Sequence, residues 1–177
     1  GTEGGGVYKT TDNGATWTVS NTGMTNAEVN FLTQAGSTLF AGTQGAGIFL
    51  STDEAQTWSS ANVGLTSATV KALQSAGTNL LVGTPIGVFL STNGAASWTI
   101  TELSGIDVSS LTLKGTAVFA GSTTGVYRST NNGVNWTSTS TGLTNLNVRS
   151  MAANATTIFA GTAGGVFKST NDGGSWT

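Results

Sequence analysis

The sequence predicts an all-β fold built from β-propeller blades, each a sheet of four antiparallel strands, and three observations carry that expectation. The first is composition. Among 177 residues there are 26 Gly, a single Pro and abundant Thr, Ser and Asn, a mixture rich in turns and poor in helix formers. The second is a period: Trp17, Trp58, Trp98, Trp136 and Trp176 are separated by 41, 40, 38 and 40 residues. The third is the content of each period, four short strand-like runs divided by Gly, Asn and Ser turns with no helical stretch.

The runs align from copy to copy. An inner strand is marked by Val29 with Leu32, Val70 with Leu73, Val108 with Leu111 and Val148 with Met151. A second strand follows as Leu39-Phe40-Ala41-Gly42, Leu80-Leu81-Val82-Gly83, Val118-Phe119-Ala120-Gly121 and Ile158-Phe159-Ala160-Gly161. It is nearly continuous in apolar residues, which predicts cover on both faces. The third strand begins Gly6-Val7-Tyr8, Gly47-Ile48-Phe49, Gly87-Val88-Phe89, Gly125-Val126-Tyr127 and Gly165-Val166-Phe167, and an outer strand runs on from each tryptophan. The expected units are a half-blade at 1–20 and blades at 27–61, 68–101, 106–140 and 146–177.

Each tryptophan closes the same octet: TTDNGATW, STDEAQTW, STNGAASW, STNNGVNW and STNDGGSW. Its third position holds Asp12, Asp53, Asn93, Asn131 or Asn171, side chains whose oxygen accepts hydrogen bonds from backbone N–H groups about two residues on and so fixes a tight turn. Gly14, Gly133 and Gly173 supply a site suited to positive φ, and Ala55 and Ala95 stand there in the other copies. The indole is expected to bury against the neighbouring blade. Each octet therefore reads as a structural clasp between third and outer strands. With Asn at three of the five acidic positions and no grouping of carboxylates, no metal site is expected.

Composition also excludes functions. Only 8% of residues are charged and the net charge is −2, against about 25% charged residues in an average soluble protein. The six bases are Lys9, Lys71, Lys114, Arg128, Arg149 and Lys168, scattered along the chain, so nucleic acid is not an expected partner. No apolar run is long enough to span a membrane. His and Cys are both absent, which leaves no nucleophile–base triad and confines acid–base chemistry to carboxylates. No cofactor is expected. A surface solubilised by hydroxyls and amides fits an extracellular or cell-surface setting.

The octet S/T-x-D/N-x-G-x-S/T-W resembles the Asp-box, or bacterial neuraminidase repeat, and the resemblance covers the whole chain. Together with the linker Gly23-Met24-Thr25, Gly64-Leu65-Thr66 and Gly142-Leu143-Thr144, it is especially similar to xyloglucan-degrading glycosidases and photosystem II assembly-factor-like propellers. The resemblance implies a propeller whose boxes lie at the blade periphery, away from the usual ligand face. Sialidases of this kind need three arginines, and here only Arg128 and Arg149 exist, on different strand types. Xyloglucanases use two aspartates across a cleft. Of Asp12, Asp53, Asp107 and Asp172, all but Asp107 belong to octets, and Asp107 lies in a linker two residues shorter than its equivalents.

Alternating hairpins place the outer-to-inner linkers and the turns before the third strands on one face, and the clasps on the other. Asn26, Glu28, Gln44, Asp107 and Asn145 are the variable residues of the first face and the candidate binding residues. Both ends of the chain are expected to fall inside a blade, making it part of a larger or multi-chain propeller array, with self-assembly through incomplete blades a further expectation. The function expected is a non-catalytic extracellular scaffold for protein or glycan contacts. The alternative is a propeller fragment of a glycoside hydrolase acting on β-glucans such as xyloglucan.

Overall fold

The computed structural model describes residues 1–177. A two-stranded hairpin, β1 (Tyr8–Lys9) and β2 (Thr18–Val19), comes first. Three four-stranded sheets follow: β3 (Val29–Ala35), β4 (Thr38–Thr43), β5 (Ile48–Ser51) and β6 (Ser59–Ser60); β7 (Ala72–Ala76), β8 (Asn79–Thr84), β9 (Gly87–Ser91) and β10 (Thr99–Ser104); β11 (Val108–Lys114), β12 (Ala117–Ser122), β13 (Gly125–Ser129) and β14 (Thr137–Ser138). The last sheet is β15 (Val148–Ala153), β16 (Ile158–Thr162) and β17 (Gly165–Ser169), with Thr177 and Lys168 exchanging backbone hydrogen bonds at 2.9 and 3.0 Å where a fourth strand begins. Every pairing is antiparallel and joins neighbours in sequence.

The apolar second strands β4, β8 and β12 are covered on both faces, and this arranges the core. Because side chains alternate along a strand, β8 sends Leu80 and Val82 back to the preceding sheet and Leu81 forward to the next. β12 repeats the pattern, with Val118 and Ala120 pointing back and Ala117 and Phe119 forward. On the third strands Ile48, Val88 and Val126 point forward, while Phe49 and Phe89 point back and are buried. The result is four separate cores, one at each interface between successive units. The forward face of the last sheet has no such cover: Val166 is 74% exposed, where its equivalents Ile48, Val88 and Val126 are fully buried.

The tryptophans follow the same logic, with two departures. Trp58, Trp98 and Trp176 are 2–4% exposed and donate from Nε1 to Ser20, Ala61 and Thr139 carbonyls of the preceding unit, at 2.7–2.8 Å. Trp17 has no preceding sheet to enter and is 59% exposed. Trp136 is half-buried and turns its Nε1 to the Gly133 carbonyl of its own octet, 3.0 Å away. The expectation that every indole buries against a neighbour therefore fails at Trp17. Trp136 still packs against the cluster shared with the preceding sheet, as expected, but is less deeply buried than Trp58, Trp98 and Trp176. The cause at Trp136 is the short linker before it. Elsewhere a linker carbonyl (Thr22, Val63 or Thr141) accepts from the tryptophan backbone N–H at 2.8–2.9 Å. Before Trp136 the outer strand β10 occupies that stretch, and the Glu102 carboxylate stands in, accepting from Trp136 N at 3.4 Å and Asn135 Nδ2 at 2.9 Å.

These differences predict unequal costs at equivalent positions. Trp98→Ala is expected to cost about 3–5 kcal/mol, the range for a large buried aromatic, whereas Trp17→Ala changes stability by about 0.5 kcal/mol or less, as at other exposed positions. Urea unfolding of the two variants measures the contrast, and equal losses would contradict the assignment of the cores to the interfaces between units.

Candidate functional site

The clasps are the most regular polar feature of the chain. In all five, the hydroxyl at the first position (Thr10, Ser51, Ser91, Ser129 or Ser169) donates to the Asx oxygen at 2.7–2.9 Å and accepts the N–H of the fifth residue at 2.9–3.0 Å. The Asx oxygen also accepts the backbone N–H of the seventh residue at 2.9–3.0 Å. The reach is thus four residues rather than about two. The fourth and fifth residues both take positive φ, including Ala55 at 64° and Ala95 at 71°, so alanine here tolerates a left-handed backbone.

The Asp–Asn exchange at the third position reverses one hydrogen bond and preserves the rest. Asp12 and Asp53 accept from the Thr16 and Thr57 hydroxyls at 2.5 and 2.6 Å. Asn93 and Asn171 instead donate from Nδ2 to the Ser97 and Ser175 hydroxyls at 2.8 and 3.0 Å, and Asn131 donates to Asn135 Oδ1 at 2.8 Å. A hydroxyl serves either polarity because it both donates and accepts. The bonds to the ionised form, led by that from the threonine hydroxyl, hold the Asp12 and Asp53 carboxyls at about 2.

The linkers and the turns before the third strands come together at one end of the sheets. Gln44 N donates to Glu28 O at 2.9 Å, Gly45 and Gly47 N to Ala68 O at 3.0 and 2.7 Å, Thr123 N to Asp107 O at 3.1 Å and Ala163 N to Asn147 O at 3.2 Å. The clasps meet the inner-strand turns at the opposite end, where Asn79 Nδ2 donates to Asn132 O at 3.1 Å.

Three of the five candidate residues converge on the linker end. Asn26 accepts Glu28 N at 2.7 Å and donates to Gln44 O at 3.1 Å, and Gln44 Oε1 accepts from Asn30 Nδ2 at 3.1 Å. Glu28 and Gln44 line an open cavity of about 430 Å³ with Glu3, Val29 and Asn30. Asp107 and Asn145 lie in later linkers and line no cavity. Asp107 is bound through both oxygens to Lys71 Nζ at 2.7 and 2.8 Å, a bridge between the second and third four-stranded sheets. Asn145 accepts Asn147 N at 3.0 Å and is a turn residue. Sequence reasoning missed Glu3 and Asn30, which only register brings beside Gln44, and the pairing of Lys71 with Asp107.

No family model and no curated protein sequence matches the chain. Solved structures do. The extracellular domain of a one-component system from B. thetaiotaomicron matches with a TM-score of 0.77 at 18% identity over 92% of this chain and 24% of that one. An ancestral GH74 enzyme matches with a TM-score of 0.72 at 24% identity over 88% of this chain and 24% of that one. The fold is that of β-propeller blades. YCF48, solved with a D1 peptide, matches with a TM-score of 0.70 at 16% identity over 96% of this chain and 59% of that one. The chain thus spans about a quarter of the first two propellers and over half of the third.

The clasps predict an acid-sensitive step. A carboxyl held below its unfolded value contributes stability above that value and loses it as pH falls toward the folded one. For Asp12 and Asp53 the window runs from about 4 down to about 2. Asp12→Asn with Asp53→Asn is expected to keep the clasps, as three copies already do, and to shrink the fall in melting temperature across that window. Asp172, held low by the Lys114 ammonium, retains the remainder. An unchanged acid profile in the double variant would contradict the hydrogen bonding described.

Proposed function

We propose that the chain is a non-catalytic, extracellular scaffold whose linker end makes protein or glycan contacts. The observation that carries this reading is the convergence of Glu28 and Gln44, from two different connections and tied together by Asn26, on one polar cavity with Glu3 and Asn30. Several hydrogen-bonding groups face one recess there, the arrangement that orients a polar ligand. The aspartates are otherwise engaged: Asp12 and Asp53 hold clasps, Asp107 holds Lys71 and Asp172 holds Lys114. Supporting the reading, one structurally similar protein is the extracellular domain of a one-component system and another was solved with a peptide.

A second reading rests on the likeness to a GH74 enzyme: the chain is a section of a glycoside hydrolase acting on β-glucans such as xyloglucan. Titration with xyloglucan oligosaccharides and with a peptide array separates the two. Binding without hydrolysis is expected, and Glu28→Ala with Gln44→Ala weakens it about tenfold or more, as loss of one or two polar contacts does. Hydrolysis that disappears in Asp107→Asn would overturn the scaffold reading, and binding unaffected by the double variant would move the contact surface elsewhere.

A further inference from the structure

The clasp end holds a larger cavity, and its walls differ from those of every other interface in the chain. It measures about 520 Å³, lies between the fourth and fifth octets, and none of its twelve lining residues is hydrophobic. Arg128, Asn131, Asn135, Thr139, Asn171 and Asp172 are among them. Arg128 stands just before its octet on β13, where the two preceding blades carry Leu50 and Leu90 packed forward into the next interface. The first hairpin carries Lys9 there, and its Nζ reaches the Glu54 carbonyl at 2.7 Å and carboxylate at 3.7 Å in the following octet.

By the same spacing Arg128 faces Asp172, but Asp172 is already taken. Lys114, which stands where the other inner strands end in Ala35, Ala76 and Asn154, forms a charged hydrogen bond with the Asp172 carboxylate. Two cations thus meet one acid. Arg128 forms no ion pair, and its Nε is buried without a hydrogen-bond partner, the one such side-chain atom in the chain. Its guanidinium carbon sits 5.9 Å from the Phe119 ring centroid, a cation–π contact that steadies the group without satisfying its N–H donors. A buried unpaired donor carries a desolvation cost that leucine at the same place would avoid.

We propose that this cavity binds an anionic saccharide, with the Arg128 guanidinium receiving its carboxylate or sulfate group. The fork of N–H donors on arginine matches a planar or tetrahedral oxyanion. The hydroxyls and amides around it suit the hydroxyls of a sugar ring, and no hydrophobic residue stands in the wall to receive an apolar peptide side chain. The site lies at the opposite end of the sheets from the linker cavity, so it stands or falls independently of that reading.

The test is calorimetric titration of the chain with trigalacturonate, a sulfated carrageenan tetrasaccharide, cellotriose and inorganic phosphate. At least one acidic saccharide is expected to bind about tenfold or more tightly than cellotriose and phosphate, with affinity falling as salt rises; the acidic arm that binds identifies the anionic group. Arg128→Leu reproduces what two sister blades already carry. It is expected to fold with an equal or higher melting temperature and to lose about tenfold or more in affinity. Arg128→Lys keeps the charge but not the fork and falls between. Absence of binding by both acidic saccharides, equal binding of cellotriose or phosphate, or full affinity in a folded Arg128→Leu protein would each overturn the proposal.

Discussion

The second strand of each blade sends alternate side chains into two different interfaces, and the rest of the structure depends on that division. A four-stranded sheet with apolar groups on both faces cannot hide them by itself. Leu80 and Val82 need the sheet before them, and Leu81 needs the sheet after. The core is therefore distributed as four interface clusters, and a residue's environment follows from its direction, forward or back, as much as from its place in the repeat. Val126 and Val166 occupy equivalent positions, yet one is fully buried and the other 74% exposed because only the first has a sheet in front of it.

The clasp solves a different problem. Third and outer strands must be joined by a turn that takes two consecutive residues through positive φ, a conformation that costs most side chains energy. Three hydrogen-bonding groups hold it: the first hydroxyl, the Asx oxygen and the seventh side chain. Since the Asx oxygen does the accepting from backbone, charge is incidental to the turn. Where Asn stands in place of Asp, the seventh residue accepts its Nδ2 hydrogen bond, as Ser97, Asn135 and Ser175 do. The fifth residue is governed by its neighbour in the preceding blade. Ala95 lies in the cluster that includes Phe40, whereas a methyl on Gly133 would come within 2.2 Å of Leu81, which replaces that phenylalanine.

What the sequence made legible was whatever repeats: the strand order, the two-sided cover of the second strand, the clasp and the two ends at which connections gather. These are periodic, and periodicity survives without knowledge of distance. The hydrogen-bond reach within the clasp was misjudged because an Asx turn at two residues and this wider one start from the same side chain. The fate of Trp136 was hidden for another reason. It depends on Glu102, 34 residues earlier, entering a space that a linker carbonyl fills elsewhere. At the linker end, Asn26, Glu28 and Gln44 were visible as variable loop residues, but their meeting with Glu3 and Asn30 depends on how successive units stack.

The departures from the repeat then divide by whether the structure gives them a partner. Asp107 departs and meets Lys71; Glu102 departs and meets the Trp136 and Asn135 nitrogens; Lys114 departs and meets Asp172. Each substitution introduces a polar group together with a complement, so folding accounts for it. Arg128 stands where two copies carry leucine and two carry lysine, and it meets only an aromatic ring, with a buried N–H left open. Stability favours the leucine that two sister blades carry, Leu50 and Leu90. A group that folding does not explain, placed in the wall of the one large cavity without hydrophobic lining, is where selection for binding would leave its mark on an otherwise regular array.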